Sequence, residues 1–192
     1  MATHEPPVVI VPGIYDSGPE HWQSRWQAQL PDARRIEPAS FDRPVLADWL
    51  RALDAAIATC TTPPVLIAHS LGCLATLAWT ARRPVPEQVT AIMLVAVPDP
   101  ASVPFPAAAS SFTDIRPSPL AVPSLVVAST DDPYGSLDYA AGVAAASGAE
   151  LHIVGALGHI NADSGLGDWP QGRRLLAELL APGHEAAEPP DC

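Results

Sequence analysis

The chain has 192 residues and a mass of 20.1 kDa, which is the size of one ordinary domain with a sizeable core. Hydrophobic residues make up 48% of the sequence and charged residues 16%, so this is the composition of a folded globular protein rather than a disordered one. The net charge is -11, and such a surface repels phosphate backbones and anionic lipid, so we expect neither a nucleic-acid nor a membrane partner.

Apolar runs of strand length recur along the chain, with segments of helical periodicity between them. The predicted strands cover residues 8–12, 64–68, 89–96, 124–128 and 151–154, with a more polar edge strand at 34–37. The predicted helices cover residues 21–30, 45–59, 71–82, 137–147 and 172–180. The five apolar runs are continuous rather than alternating, which is typical of strands buried on both faces of a parallel sheet. We therefore predict an α/β protein, a mostly parallel sheet with helices on both faces.

The termini and the cysteines indicate the compartment and the domain limits. No apolar run is long enough for a membrane-spanning helix, and the polar N-terminus does not resemble a signal peptide. Cys60, Cys73 and Cys192 are too few and too scattered for a disulfide framework or a zinc site. We therefore expect a cytosolic protein with a single domain over residues 1–182, followed by a loose acidic tail over residues 183–192.

The segment from Ile67 to Gly72 carries the sharpest chemical signal, because it joins a predicted buried strand to a predicted apolar helix. Ser70 stands at the junction, and the pattern is that of a nucleophile elbow with Ala68 in place of the first glycine. On such a turn the hydroxyl projects clear of the sheet, and the amide of Leu71 at the helix start can stabilise an oxyanion. The alternative is a serine that only caps the helix. The flanking strand and helix favour the nucleophile.

A serine nucleophile needs a base, and the base is usually oriented by an acid. His159 follows the strand at 151–154 and is the candidate base, with His21 as its best competitor among the other histidines. Asp131 and Asp132 both follow the strand at 124–128. One of them can orient the histidine while the other builds the turn, and the residue pattern leaves that choice open.

The remaining candidates lie after other strands, at the sheet edge where α/β proteins bind ligands. Gly13 permits close backbone approach after the first strand, and the next amide, that of Ile14, is the expected second oxyanion donor. The further candidates for the pocket wall are Gly13, Tyr15, His69, Tyr134 and Trp169, of which Trp169 can instead belong to the core. The proline-rich segment 98–122 is either a partial cover over the site or a long surface connection. Trp22, Trp26, Trp49 and Trp79 lie on helix stripes and are predicted core residues.

Taken together, the motifs resemble the retinoblastoma-binding protein 9 / YdeN family of small serine hydrolases, a branch of the α/β-hydrolase superfamily, over about residues 8 to 180. The residues that carry the resemblance are Val11-Pro-Gly13 with Trp22 and Trp26, Asp42-Arg-Pro44 with Trp49, His69-Ser-Leu-Gly72, Ala128-Ser-Thr-Asp-Asp-Pro-Tyr134, and Gly158-His159 followed by Ser164-Gly-Leu-Gly-Asp-Trp169.

The resemblance implies an α/β-hydrolase fold without a separate cap domain and a triad of Ser70, Asp132 and His159. We therefore expect a serine hydrolase that cleaves small esters or thioesters through an acyl-enzyme, with a small acyl compound as its partner and no metal or cofactor. The alternative is a binding or scaffold protein that keeps a hydrolase fold without using it. Three catalytic groups in the correct order favour the enzyme.

Overall fold

The computed structural model describes residues 6–30, 32–82 and 88–181. The strands in this part of the chain are β1 (Val8–Val11), β2 (Ala33–Arg35), β3 (Val65–His69), β4 (Ala91–Val95), β5 (Ser124–Ala128) and β6 (Glu150–Ile153). The α-helices are α1 (Trp22–Gln29), α2 (Leu46–Ala58), α3 (Leu71–Thr80), α4 (Leu137–Ser147) and α5 (Pro170–Leu179). Two short 3-10 helices cover Ala107–Phe112 and Ala162–Ser164. The predicted tail at 183–192, with Cys192, lies outside the described residues.

The six strands form one sheet in the order β2-β1-β3-β4-β5-β6, and every described pair is parallel. Because all the strands run the same way, their carboxyl ends meet at one edge of the sheet. The loops after β1, β3, β5 and β6 therefore leave from that common edge. This is the predicted parallel α/β architecture.

Helices cover both faces of the sheet, because successive residues of each buried strand point to opposite sides. In β1, Val9 and Val11 pack in the cluster formed with α2, α3 and α4. Val8 and Ile10 pack on the other face in the cluster that contains Trp22 and Trp26 of α1 and three leucines of α5. The strands are continuously apolar because both of their faces are buried. The four tryptophans predicted for the core are at most 1% exposed.

The prediction that all five apolar runs are buried is wrong for β6. Leu151 and Ile153 are 37% and 48% exposed, because β6 is the last strand of the described sheet and pairs only with β5. An apolar run predicts a strand but does not reveal whether a second strand will lie beside it.

Within the described residues, no helix combines the length and the apolar character needed to cross a bilayer.

Candidate active site

Ser70 lies on a sharp turn between β3 and α3, with a φ of 52° and a ψ of -125°. A positive φ is uncommon outside glycine and is tolerated only where the surroundings enforce it. Two close approaches do so here. A Cβ on Gly72 would overlap the carbonyl oxygens of Val11 and Pro12, and a Cβ on Gly13 would come within 2.9 Å of the Ser70 Cβ. The turn therefore needs glycine at both positions, and it holds the Ser70 hydroxyl at the end of β3.

The structure brings together three of the predicted residues. The Ser70 Oγ lies 2.8 Å from the Nε2 atom of His159, and the Nδ1 atom of His159 lies 2.9 Å from both carboxylate oxygens of Asp132. The side chains of His159 and Asp132 are only 9% and 2% exposed, so water competes little for these hydrogen bonds. With the Nδ1 proton donated to Asp132, the Nε2 lone pair is free to accept the Ser70 proton.

Asp131 and Asp132, which the residue pattern could not tell apart, have different neighbours. The Oδ1 atom of Asp131 accepts hydrogen bonds from the Ser129 hydroxyl and the Gly158 amide, each at 2.7 Å. These two bonds hold the pKa of the Asp131 carboxyl below its ordinary value, because they stabilise the ionised form. Asp131 thus fastens the loop that carries His159, whereas Asp132 contacts the imidazole itself.

Ile14 and Leu71 line the same cleft as Ser70. Leu71 is the first residue of α3, where backbone N–H groups have no partner within the helix. In the described part of the chain neither amide donates a hydrogen bond to another protein group. Both amides are therefore candidate donors to an oxygen atom bound in this cleft, and that of Leu71 lies at the positive end of the α3 dipole.

The main cleft, which contains Ser70 and His159, has a volume of about 460 Å³. Gly13, Tyr15, His69 and Tyr134 line it as predicted, and the Tyr134 ring centre lies 4.5 Å from that of His159.

Among the described residues, no three His, Cys, Asp or Glu side chains form a group that could hold a metal ion.

The proline-rich segment contributes to this cleft as a wall rather than as a separate domain. Pro98 and residues 104–106 line the opening, while Ala109 and Phe112 further along are fully buried. Phe112 packs edge-on against Trp49 of α2, with the ring centres 5.4 Å apart. The segment is thus anchored in the core at one point and covers part of the site at another.

Trp169, for which the sequence left the pocket wall and the core open, lies in the core. Its side chain is 2% exposed and packs between α1 and α5, with ring centres 4.8 Å from Trp22 and 5.8 Å from Trp26. A tryptophan shortly after the candidate base was compatible with either place. The 3-10 turn at Ala162–Ser164 and the start of α5 direct the chain back over the sheet, so that the indole fills the core.

His21 lies in the main cleft but does not contact Ser70. Its Nδ1 atom accepts a hydrogen bond from the Gln23 amide at 3.1 Å and so caps α1, and its ring packs edge-on against that of His69 at 4.7 Å. Burial, together with the nearby charge of Arg35, lowers the pKa of His21 to about 4. The geometry therefore favours His159 over His21 as the base. In the sequence, this capping role was indicated only by the position of His21 at the start of the predicted helix 21–30.

The sequence model of the serine hydrolase family matches residues 8–178. The chain belongs to this family of serine hydrolases. No curated protein sequence matches it. A YdeN-like hydrolase from Pectobacterium atrosepticum is 37% identical, with a TM-score of 0.81 over 91% of this chain and 90% of that one.

Two further solved structures are similar to this serine hydrolase. The ydeN gene product of B. subtilis is 25% identical, with a TM-score of 0.77 over 91% of this chain and 98% of that one. The non-heme bromoperoxidase BpoC of Mycobacterium tuberculosis is 14% identical, with a TM-score of 0.65 over 93% and 94% of the two chains, and shares the fold alone. The resemblance to the YdeN-like branch of the α/β-hydrolase superfamily is thereby confirmed.

The depressed pKa of His21 makes the stability of the hydrolase depend on pH. In the unfolded chain His21 titrates near 6.5, and in the folded protein near 4, so the unfolded state binds more protons between these values. The contribution of His21 to the free energy of unfolding is therefore fully present above pH 6.5 and is lost as the pH falls towards 4. Through this linkage His21 alone lowers the free energy of unfolding by about 2 kcal/mol between pH 7 and pH 5.

A His21→Asn variant tests this expectation, because asparagine is a good helix cap that does not titrate. We expect urea unfolding to show a smaller loss of stability between pH 7 and pH 5 for His21→Asn than for wild type. An equal loss in both proteins would show that other groups cause the acid sensitivity.

His69 joins the nucleophile turn to the loop of His159. Its Nε2 atom lies 2.9 Å from the His159 carbonyl oxygen and must carry the proton, since a carbonyl only accepts. Burial holds the pKa of His69 well below its ordinary value, so the ring is neutral. The ring packs between His21 and His159, with centres at 4.7 and 5.0 Å.

We expect His69→Leu to lower kcat of the hydrolase by about 10- to 100-fold, because a small displacement of a reacting group has that effect. His69→Gln is the matched control, since its side-chain amide can donate to the same carbonyl. It should retain most of kcat, with KM little changed in both variants. Equal losses in the two variants would indicate a packing role instead.

Proposed function

We propose that this serine hydrolase is an esterase that cleaves small acyl substrates through an acyl-enzyme formed on Ser70. The hydrogen-bonded series from Asp132 through His159 to Ser70, with contacts of 2.8 and 2.9 Å, is the observation that carries this role. A buried carboxylate, an imidazole and a hydroxyl in this order activate a serine towards a carbonyl carbon. The partner is a small acyl compound, and the chemistry needs no metal or organic cofactor.

The first half of the reaction acylates the enzyme. The Ser70 Oγ attacks the carbonyl carbon while His159 Nε2 takes the hydroxyl proton, and Asp132 stabilises the imidazolium that forms. The amides of Ile14 and Leu71 donate to the oxyanion of the tetrahedral intermediate. When this intermediate collapses, the bond to the leaving group breaks and the leaving group takes the proton from His159.

The second half releases the acyl group. A water molecule gives one proton to His159 Nε2 and attacks the acyl carbon, and the second tetrahedral intermediate again holds its oxyanion against the two amides. Collapse returns the proton to the Ser70 Oγ and frees the carboxylic acid. The same steps apply to a thioester, in which a thiol is the leaving group.

A fluorophosphonate probe tests this function directly, because it reacts with activated serines. We expect wild-type protein to be labelled and the modified peptide to contain Ser70. His159→Gln should abolish labelling while the far-ultraviolet circular dichroism stays unchanged. No labelling of folded wild-type protein would instead favour a binding protein that keeps a hydrolase fold.

A further inference from the structure

The main cleft offers an acyl group apolar surface. Ile14, Pro98 and residues 104–106, including Phe105, form its apolar wall, and Ile14 and Phe105 are themselves packed against the core. A volume of about 460 Å³ lies towards the small end of the range for ligand sites, which is about 300–1,000 Å³. The volume of the cleft therefore suits a compact group, and its apolar wall suits one with little polar surface.

Positive charge is missing from the lining of this cleft. The sequence contains no lysine, so every permanent cation among its side chains is an arginine. Among the described residues that line the cleft there is no arginine, and Asp16 is the lining residue with a carboxylate. A substrate carboxylate bound here would leave water without gaining a charged partner, which is costly.

The arginine nearest to this carboxylate is already engaged. Arg35 pairs with Asp16 at 2.5 Å, and its side chain is 15% exposed. The same guanidinium donates to the Gln27 side chain at 2.7 Å, the Ser24 hydroxyl at 2.8 Å and the Ser17 carbonyl at 3.1 Å. It would have to give up these hydrogen bonds to reach a substrate anion.

The two histidines beside Ser70 and His159 do not supply the missing charge. The Nδ1 atom of His21 is an acceptor for the Gln23 amide, and His69 donates to a carbonyl, so both rings are seated in their neutral forms. Burial lowers the pKa of His21 to about 4 and that of His69 well below its ordinary value. At neutral pH both therefore present uncharged surfaces to the cleft.

A second opening shares Tyr134, His159 and Asn161 with the main cleft. This side cleft, of about 430 Å³, is lined by Pro133, Tyr134, residues 156–159, Asn161, Asp163 and Ser164. Its lining, in the described part of the chain, contains a carboxylate in Asp163 and no arginine. An anionic group would thus find no arginine partner among the described residues that line either cleft.

We propose that the enzyme selects compact acyl groups without negative charge and discriminates against acyl groups that end in a carboxylate. This inference rests on the proposed esterase function, and it follows from the apolar wall, the engaged Arg35 and the lack of an arginine among the described residues that line either cleft. The discrimination acts on the acyl group, whichever of the two clefts that group occupies.

Three para-nitrophenyl esters with one leaving group test the proposal. The glutarate monoester carries a carboxylate, the glutaramate ester replaces it with an uncharged amide of the same length, and the 5-methylhexanoate ester is the apolar analogue. After subtraction of spontaneous hydrolysis, we expect kcat/KM for the glutarate ester to be at least about tenfold below that for the glutaramate ester. A glutarate ester that is cleaved as efficiently as the amide would overturn the proposal.

A variant that adds a positive charge to the main cleft is a second test of the proposal. Pro104 is exposed and lines the main cleft, so Pro104→Arg can add a cation there without disturbing the core. We expect it to raise the glutarate-to-glutaramate ratio of kcat/KM by about three- to tenfold at low salt, with a smaller gain at high salt. Pro104→Gln is the uncharged control and should leave the ratio unchanged. Equal ratios in the two variants would contradict the proposal.

A binding measurement distinguishes failure of this proposal from failure of the proposed esterase function. Calorimetric titration of the Ser70→Ala protein with the two methyl esters, of glutarate and of glutaramate, measures charge selectivity without turnover. The amide should bind more tightly, and any result in which the charged ester binds as well as the amide overturns the selectivity. Fluorophosphonate labelling of wild type reports on the esterase function alone.

Discussion

Replacing Ser70 with alanine is expected to lower kcat for a para-nitrophenyl ester by about 10⁴-fold or more, because the acyl-enzyme cannot form without the hydroxyl. The residual rate would come from binding and from the amides of Ile14 and Leu71, which remain. Substrate binding should change little, since the hydroxyl is a small part of the cleft surface. Steady-state kinetics with the spontaneous rate subtracted measure the effect.

Ser147→Ala is a suitable control for the loss of a buried serine. Ser147 lies at the end of α4, where its hydroxyl donates to the Val143 carbonyl at 2.7 Å, and it is absent from the lining of both clefts. We expect wild-type kinetics from this variant. If Ser70→Ala kept its esterase turnover, Ser70 would not be the nucleophile and the proposed mechanism would be wrong.

Asp132→Asn is expected to lower kcat by about 10⁴-fold, because an amide in this position can donate to His159 Nδ1 and so favours the wrong tautomer. The proton would then sit on Nε2, and the imidazole could no longer accept the Ser70 proton. The shape of the side chain is preserved, so the cleft should keep its geometry. Comparison of kcat and fluorophosphonate labelling rates in the two proteins tests this.

Asp131→Asn is the matched control, one residue away with the same chemical change. Its carboxylate contacts the Ser129 hydroxyl and the Gly158 amide rather than the imidazole. We expect a lower melting temperature from the weakened loop and a loss of kcat far smaller than that of Asp132→Asn. A comparable loss of kcat in both variants would show that the two aspartates are not separated in function.

Much of the fold could be predicted from local pattern. The runs at Val8–Val11, Val65–His69 and Ala91–Val95 are apolar, apart from His69 at the end of β3, because they lie in the middle of a sheet that is covered on both faces. The boundaries of β5 and α4 coincide with those predicted, since turn-forming residues and a glycine after Ser147 mark them. The edge position of β6 could not be predicted, because burial of a strand depends on whether a neighbour pairs with it.

The kinds of group that meet at the site could be predicted from the sequence. Small residues around Ser70, a histidine after the last strand and two aspartates after β5 indicated their roles through chain order alone, since parallel strands bring their carboxyl ends to one edge. The resemblance to known serine hydrolases singled out Asp132. From the residues alone, Asp131 and Asp132 are chemically identical neighbours.

How the side chains of different segments pack against one another depends on tertiary contacts. Asp132 faces His159 because Ser129 and Gly158 hold Asp131 elsewhere, and Trp169 is buried because α1 and α5 close over it. Arg35 is tied to Asp16 and to α1, which leaves the cleft lining without a free cation among the described residues. Each of these outcomes depends on at least one contact between residues far apart in the chain, such as Gly158 with Asp131, and no local pattern records such contacts.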